Sequence, residues 1–521
     1  MAYDCVIFTD VTYSNVVYKP LGAYRLANYL RENGYTCLVV DHFHAFSIDQ
    51  TLDIISQAVD KNTKFVGFSI AFFSNVEGTK PMDPTANNSY THLDYNRAFC
   101  PQGYSFETNL VSAIKDKNPD CKIVLGGAAR ISSQIKNPRV DYTISGFAEV
   151  AALDLIRSLE INQVPTAAVK NVWGTYIIDG GSAESFDYQH SSMKWLPQDI
   201  GAIQVLQLDL SRGCRFNCNF CDWSLRGTKS NKWVRHVDII AEELQRNYDL
   251  YGVYKYFVQD HTFNESDYKL NTIKTAVKQL TFQPIFWCHT RPDLLVTHPH
   301  RTDDMFEVGV RSMMMGIETL DPAVSKRIGK GLAPSKIITE LKNIRQRYKN
   351  ELLTHANFII GLPGETVSSV LHTASLLESG EVPVHHWGYN ALMISTDTNN
   401  WWGSVYEKNP ANYGYTENKD EYTAGFNIDY RKNSLLNWRN EHMSFGQAMD
   451  LNKKLTESAA SNPACLADSM LNWALMGFTD LQLSGVQTQR FYDINWNSVS
   501  KQRLRYLFNY KKQLLNSVRT K

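Results

Sequence analysis

The sequence predicts an α/β protein: a doubly wound parallel sheet, then a partial (βα)6 barrel, then a mainly helical C-terminal region. Three observations carry that reading. Over residues 1–165, short continuous apolar runs alternate with amphipathic helical patterns, as strands covered on both faces do. From residue 203 to about 395 the same rhythm recurs six times. In both halves the polar residues able to do chemistry follow directly after the apolar runs, which puts them at the carboxyl ends of strands. At 521 residues the chain is long enough for two or three domains.

In the first half CVIFTD reads as a buried strand. PLGAYRLANYLRENGYTCLVVD follows, with Leu21, Tyr24, Leu26, Ala27 and Leu30 on one helical face, Pro20 at its start and Gly34 at its end. A second strand closes at Asp41. The segment IDQTLDIISQAVDK is helical and KFVGFSIAF a third strand; a polar insertion spans about 74–105. NLVSAIKDKNP, CKIVLGGAA, VDYTISG and AEVAALDLIRSLE continue the alternation. Ligands of such sheets bind beyond the carboxyl ends of the strands. The candidate edges are Thr9–Asp10, Asp41–His44, Ser69–Ala71, Gly126–Gly127 and Gly146–Glu149. Gly126–Gly127 either lets backbone approach a bulky ligand or makes a tight strand-to-helix turn. His42 and His44 read as loop histidines.

Residues 166–200 form a hairpin-containing linker, and the second alternation occupies 201–395. Its strands are IQVLQLDL, YKYFVQD, PIFWCHT, VRSMMMGIE, LTHANFII and HHWGYNALMI. Six repeats without a seventh imply an open barrel, whose functional face is the C-terminal end of its strands. The motifs satisfy that rule: a cysteine loop follows the first strand, Asp260 and His261 the second, Arg291 the third, Glu318 the fourth and GLPGET the fifth. The run Met313–Met315 reads as core packing. Residues 396–521 are aromatic and polar, then helical, and suit a lid that selects substrate; the basic residues near the end read as a solvated helix face.

With 53 basic and 53 acidic residues there is no global field to recruit nucleic acid or anionic membrane. No apolar run approaches membrane-spanning length and no signal peptide is read. Of nine cysteines, six are scattered, and they suit buried reduced thiols in a reducing cytoplasm.

The other three cysteines stand in DLSRGCRFNCNFCDWS, residues 209–224: Cys214, Cys218 and Cys221, spaced C-x3-C-x2-C. An iron–sulfur cluster is normally held by four thiolates, so three in one loop leave one iron of a cubane open. Structural zinc also draws on clustered cysteines but requires four ligands. The loop, with aromatic Phe220 before the third cysteine, resembles the radical S-adenosylmethionine (SAM) superfamily, and MGIETL and GLPGET extend the likeness across 200–395. That resemblance implies a TIM-like partial barrel and a [4Fe–4S] cluster on the three cysteines. It also implies SAM on the open iron, cleaved by one electron to methionine and a 5′-deoxyadenosyl radical. By the same resemblance Phe220 lies near adenine, Gly361 and Gly364 shape the adenine pocket, and Arg291 and Glu318 hold the ribose or carboxylate. Asp260, in a D-x-x-F segment, replaces the usual contact to the SAM amine.

The pieces LGAYRLANYLRENGYTCLVVD, FVGFSI, IVLGGAA and VDYTISGFAE resemble the Rossmann-like cobalamin-binding domain that precedes many of these enzymes. The resemblance implies cobalamin contacts at Asp41, Ser69, Gly126, Gly127, Gly146 and Glu149. The family's G-E-G-E segment is only partly matched by Gly146–Glu149, and D-x-H-x-x-G is missing, so no histidine is expected on cobalt. The expected activity is a cobalamin-dependent methyl transfer to an unactivated carbon. The rivals are radical rearrangement, cyclisation or oxidation without methyl transfer, and a non-catalytic metal-binding interaction protein. Expected partners are a small-molecule or peptide substrate and a low-potential electron donor such as flavodoxin or ferredoxin.

Overall fold

The computed structural model describes residues 3–9, 19–43, 46–69, 106–127, 139–172, 174–180, 186–200, 205–221, 227, 229–394, 403–418, 436–466 and 496–519. The insertion expected at 74–105, with Asp10, His44, Ala71, Cys100, Trp401 and Trp402, lies outside them. The chain divides into two compact units. One comprises Met1–Asp187, Ser191–Ile203 and Ser498–Lys521; the other comprises Tyr188–His190 and Gln204–Asn497.

The first unit contains β1 (Cys5–Phe8), α1 (Leu21–Glu32), β2 (Cys37–Val40), α2 (Ile48–Ala58), β3 (Phe65–Ser69) and α3 (Ser112–Lys117). It continues with β4 (Lys122–Gly127), β5 (Tyr142–Ser145), α4 (Glu149–Glu160), β6 (Val169–Lys170), β7 (Tyr176–Asp179) and α5 (Pro197–Ile200). The strand order is β2-β1-β3-β4-β5-β7-β6. Every pairing is parallel except β6 on β7, so the hairpin read as part of a linker extends the sheet. The order 2-1-3-4-5 reverses between β1 and β3, which is where doubly wound sheets hold their ligands.

Strands β1 and β2 are wholly buried, as their unbroken apolar runs require. The face of α1 is less apolar than its pattern suggests, because Arg25 and Asn28 are buried too. Asn28 earns its place by bonding the Ser192 carbonyl and the Lys194 amide, both at 3.0 Å. The last helix, Trp496–Arg519, belongs from Ser498 onward to this unit. Its Tyr510 hydroxyl accepts a 3.1 Å hydrogen bond from the Asp41 amide.

The second unit contains β8 (Val205–Leu208), α6 (Val237–Tyr251), β9 (Lys255–Val258), α7 (Asp267–Val277), β10 (Ile285–Thr290), α8 (Pro292–Thr297) and α9 (His300–Val308). It continues with β11 (Val310–Glu318), α10 (Pro322–Arg327), α11 (Pro334–Tyr348), β12 (Leu353–Ile360), α12 (Val367–Glu378) and β13 (His386–Ala391). After the barrel come α13 (Val405–Lys408), the pair β14 (Thr416–Glu417) and β15 (Trp438–Arg439), and α14 (Phe445–Ser461). The strands β8 to β13 pair in simple sequence order, all parallel, and β13 does not pair with β8 among the described residues. This is the partial (βα)6 barrel, its functional rim at the carboxyl ends of the strands.

Alternation divides each barrel strand into two faces. Met313 and Met315 are fully buried, as core packing demands. Tyr256 and Phe286 lie on the helix side, where the Tyr256 hydroxyl reaches the Leu244 carbonyl of α6 at 3.5 Å. Phe257, Trp287 and His289 contact one another on the opposite face, inside the barrel.

Candidate active site

The cysteine loop leaves β8 and is fixed at its root by buried charge. Ser211 bridges to Val234, and the Arg212 amide donates to the Trp233 carbonyl at 2.9 Å. Arg235, fully buried, donates to the Asp209 carbonyl at 3.0 Å and forms a close ion pair with Glu243. Asp260 accepts from the Leu210 amide at 2.7 Å and the Ser211 hydroxyl at 2.6 Å, and pairs with Lys269 of α7 at 2.5 Å. The same ammonium donates to Ser211 Oγ at 2.8 Å and the Thr262 carbonyl at 2.9 Å, and pairs with Glu265 at 3.4 Å. Glu265 in turn accepts from the Arg215 amide at 3.1 Å. Burial works against the Lys269 charge, but Asp260 and Glu265 outweigh it and raise its pKa. Asp260 therefore anchors the cysteine loop: its two oxygens bind loop atoms and Lys269.

The cysteine sulfurs follow that root, and Cys214 lines a small polar cavity with Ser211, Arg212, Trp233 and Glu265. None of Cys214, Cys218 and Cys221 is in a disulfide, and all three are half-buried. Arg291, between β10 and α8, donates to Cys218 Sγ at 3.0 Å. Its guanidinium is aligned by Asp293 at 3.0 and 2.8 Å and lies 3.9 Å over the Phe216 ring. Asn264 holds its backbone from both sides at 3.0 Å. Burial opposes the Arg291 charge, yet Asp293 and Cys218 raise its pKa overall. Cys214 lies 3.4 Å from Thr262 Oγ1; burial pushes its thiol up and the threonine hydroxyl offsets part of that. Arg291 thus joins a cysteine sulfur of the loop to Asp293 of α8.

Phe220 packs against Val324, Ile328 and Leu362, which joins the cysteine loop to α10 and the GLPGET turn. Lys330 lies 6.0 Å from the Phe220 ring centre, donates to the Gly316 carbonyl at 2.7 Å and pairs with Glu318 at 3.3 Å. Glu318 closes β11 with φ +70°, a left-handed conformation costly for a residue with a side chain. In the turn, Gly361 has φ +98°, and an added Cβ would fall 2.3 Å from Trp438 Cη2. Gly364 has φ +79° and its Cβ would strike the Arg327 guanidinium. Glu365, which the sequence reading did not single out, pins the turn by accepting from the Gly361 and Leu362 amides at 2.8 and 3.3 Å. Burial pushes its pKa up to about 7. The Val405 amide at the start of α13 donates to the Asn219 carbonyl at 3.0 Å and steadies the loop from the C-terminal side.

The three half-buried thiols fit a polynuclear iron–sulfur centre. In a cluster each thiolate takes a different iron. Cys214, Cys218 and Cys221 would hold it, with Arg291 and Thr262 donating to two of the sulfurs.

In the first unit, Ser69 is paired with Gly126 in register, and Gly127 with Ser145, beside Gly146. These positions form one carboxyl rim at the strand reversal. Among the described residues an added Cβ at Gly126 would meet only the Ile144 carbonyl, at 3.8 Å. Space of this kind suits a large ligand held against backbone. Gly146 turns with φ +80°. Glu149 begins α4 and is buried. Asp41 differs: it forms a fully buried 2.8 Å ion pair with Lys19, whose ammonium lies 3.8 Å from the Tyr510 ring centre. Burial lowers the Lys19 pKa despite Asp41. His42, in the loop after β2, is buried against Tyr510 with φ +48°. Ser69, the glycines and Glu149 would hold a cobalamin at this rim, and Asp41 at the end of β2 is paired with Lys19.

Residues 208–377 match the radical SAM superfamily, and the barrel with its cysteine loop is a radical SAM domain. The chain also resembles particular proteins. It is 32% identical over 161 residues to an uncharacterised methyltransferase of Pyrococcus horikoshii, covering 31% of this chain and 34% of that one. The chain thus spans about a third of that relative's length. Its fold matches the radical SAM methyltransferase TsrM of Kitasatospora setae, solved with cobalamin and a [4Fe–4S] cluster, at 13% identity and TM-score 0.59, covering 100% of both chains. It also matches OxsB, a cobalamin-dependent radical SAM enzyme solved with aqua-cobalamin and SAM, at 14% identity and TM-score 0.59, covering 99% of this chain and 80% of that one.

Proposed function

We propose that the protein is a cobalamin-dependent radical SAM methyltransferase that acts on an unactivated carbon. The observation that carries this reading is the order of two ligand rims along one chain. A doubly wound sheet with a glycine-rich rim precedes an open barrel whose first strand ends in a three-cysteine loop. The same fold, over the whole chain, belongs to a methyltransferase that was solved with both cofactors. When bound, the cluster supplies a low-potential electron for SAM cleavage and the cobalamin a methyl group. The chain's own contribution is positional. Asp260 and Lys269 fix the cysteine loop, Arg291 donates to Cys218, and Phe220 with the Leu362 turn forms the apolar wall beside the sulfurs.

Among the described residues no helix is long and apolar enough to cross a membrane. The buried thiols Cys5, Cys37, Cys121, Cys288 and Cys465 suit a reducing cytoplasm, where a flavodoxin or ferredoxin supplies the electron. The test is incubation of the anaerobically reconstituted enzyme with SAM, methylcobalamin and reductant on candidate substrates. A product heavier by one methyl group supports the reading. A product of unchanged carbon count overturns methyl transfer and leaves the radical enzyme.

A further inference from the structure

Inside the barrel, below the cysteine rim, two polar atoms on neighbouring strands are buried without a hydrogen-bond partner among the described residues: Gln259 Nε2 and His289 Nδ1. Parallel register pairs Phe257 with Trp287, and Gln259 and His289 each follow two residues later on the same face. The pair therefore stands side by side at about one strand spacing, roughly 5 Å. The ladder holds both in place: the Gln259 amide donates to the Leu208 carbonyl at 2.7 Å, and the His289 carbonyl accepts from the Phe263 amide at 2.8 Å. The His289 ring is wedged against Trp287 at 4.8 Å and Phe257 at 6.0 Å between centres.

The two atoms have opposite hydrogen-bonding character. The Asp260 backbone bears on the other side of the His289 ring and favours a ring proton directed toward it. Its Nε2 is then the donor, and Nδ1 presents a lone pair. Burial, reinforced by His261 and His355, lowers the ring's pKa to about 3, so the ring stays neutral. Gln259 Nε2 presents N–H. At this level the next positions around the barrel are Met314, His355 and His386, with no Lys, Arg, Asp or Glu among them. The nearby cations Lys269 and Arg291 are already committed to carboxylates and a sulfur. Buried polar atoms left unpaired are costly, and a site built on them rejects ligands that do not satisfy them.

We propose that Gln259 and His289 form a donor–acceptor pair that reads an uncharged amide-like edge of the substrate, a C=O beside an N–H, within the barrel. This inference rests on the enzyme reading and names the substrate class: a lactam, amide or heteroaromatic ring with adjacent donor and acceptor. A carboxylate would set oxygen lone pairs against the His289 lone pair, and a hydrocarbon would leave both atoms unpaired.

The probe is 2-pyridone, with benzoate and toluene as charged and apolar comparisons, titrated into the full-length reconstituted protein by ligand-observed NMR. Binding of 2-pyridone at least about ten-fold tighter than either comparison, and weakened about ten-fold in Gln259→Leu and in His289→Phe, supports the pair. In the wild-type protein the His289 Nδ1 resonance, assigned by its loss in His289→Phe, moves upfield as 2-pyridone binds; this readout does not depend on variant folding. No 2-pyridone binding, equal binding of the comparisons, or an unmoved Nδ1 resonance overturns the proposal. Production of 5′-deoxyadenosine by the same wild-type sample separates the two readings. Cleavage without selective binding removes the pair alone, and selective binding without cleavage removes the radical enzyme alone.

Discussion

The two carboxyl rims of this chain are built on opposite principles. The barrel rim is wired with charge: Lys269, Asp260, Glu265, Arg291 and Asp293 are buried or nearly so, and all bear on the cysteine loop or its sulfurs. The rim of the first sheet is built from Ser69, Gly126, Gly127 and Gly146, and its nearest buried ion pair, Lys19–Asp41, is closed on itself. A rim that must fix three sulfurs needs directed side chains, each held by others. A rim that must meet a large flat ligand needs backbone and space.

The contrast can be broken at either rim, beginning with the largest effect. Replacing any one of Cys214, Cys218 and Cys221 with alanine is expected to abolish cluster incorporation, read as iron and sulfide content after anaerobic reconstitution. Removing the barrel's charge wiring comes next. Lys269→Met leaves Asp260 buried without its cation and is expected to cost about 3–5 kcal/mol in denaturant unfolding. An Asp260→Asn, Lys269→Met double variant should recover part of that loss.

Glu365 gives a pH signature of about 3 kcal/mol. Its folded pKa, about 7, is raised above the ordinary 4.5. The stability it contributes is therefore complete below about pH 4.5 and is lost as pH rises through 7. Glu365→Gln keeps an acceptor for the Gly361 and Leu362 amides, so its stability should change less between pH 4.5 and 7 than that of the wild type. Equal slopes in urea unfolding across that range would contradict the assignment.

Smallest in stability is the pair of glycine replacements that contrasts the rims directly. Gly361→Ala meets both a positive φ and the Trp438 ring, and is expected to cost about 2–4 kcal/mol. Gly126→Ala meets only a carbonyl at 3.8 Å and should cost less than about 1 kcal/mol, while weakening cobalamin uptake measured by absorbance. A large stability loss at Gly126 would make it a packing glycine and remove the contrast.

Much of this was legible in the sequence because strands and rims follow local rules. Apolar runs marked eleven of the twelve parallel strands well enough to place Cys214, Asp260, Arg291, Glu318 and Gly361 at strand ends, and the structure puts them there; β7 falls in the stretch read as a linker. Partners were harder to read, because they come from distant segments. The partners of Asp260, Lys269 of α7 and Ser211 of the loop, meet it only in the folded chain. A local signal for Lys269 existed: it lies four and seven residues before the buried Ile273 and Ala276, on their face of the helix, where a lysine requires a partner. The Asp41–Lys19 pair had no such signal, since Lys19 lies just before α1 and Tyr510 comes from the last helix. Gln259 and His289 were hidden for another reason. Their significance is that they lack a hydrogen-bond partner among the described residues, which no spacing announces.

The central claim is that the three-cysteine loop carries a cluster whose open iron takes SAM. Mass-spectrometric detection of 5′-deoxyadenosine tests it most directly, using anaerobically reconstituted protein with SAM and a low-potential reductant. Formation of 5′-deoxyadenosine by the wild type, and none by the Cys214→Ala, Cys218→Ala and Cys221→Ala variants, is the expected result. A brown, cluster-bearing wild-type protein that leaves SAM intact, or cysteine variants that still cleave it, would contradict the account.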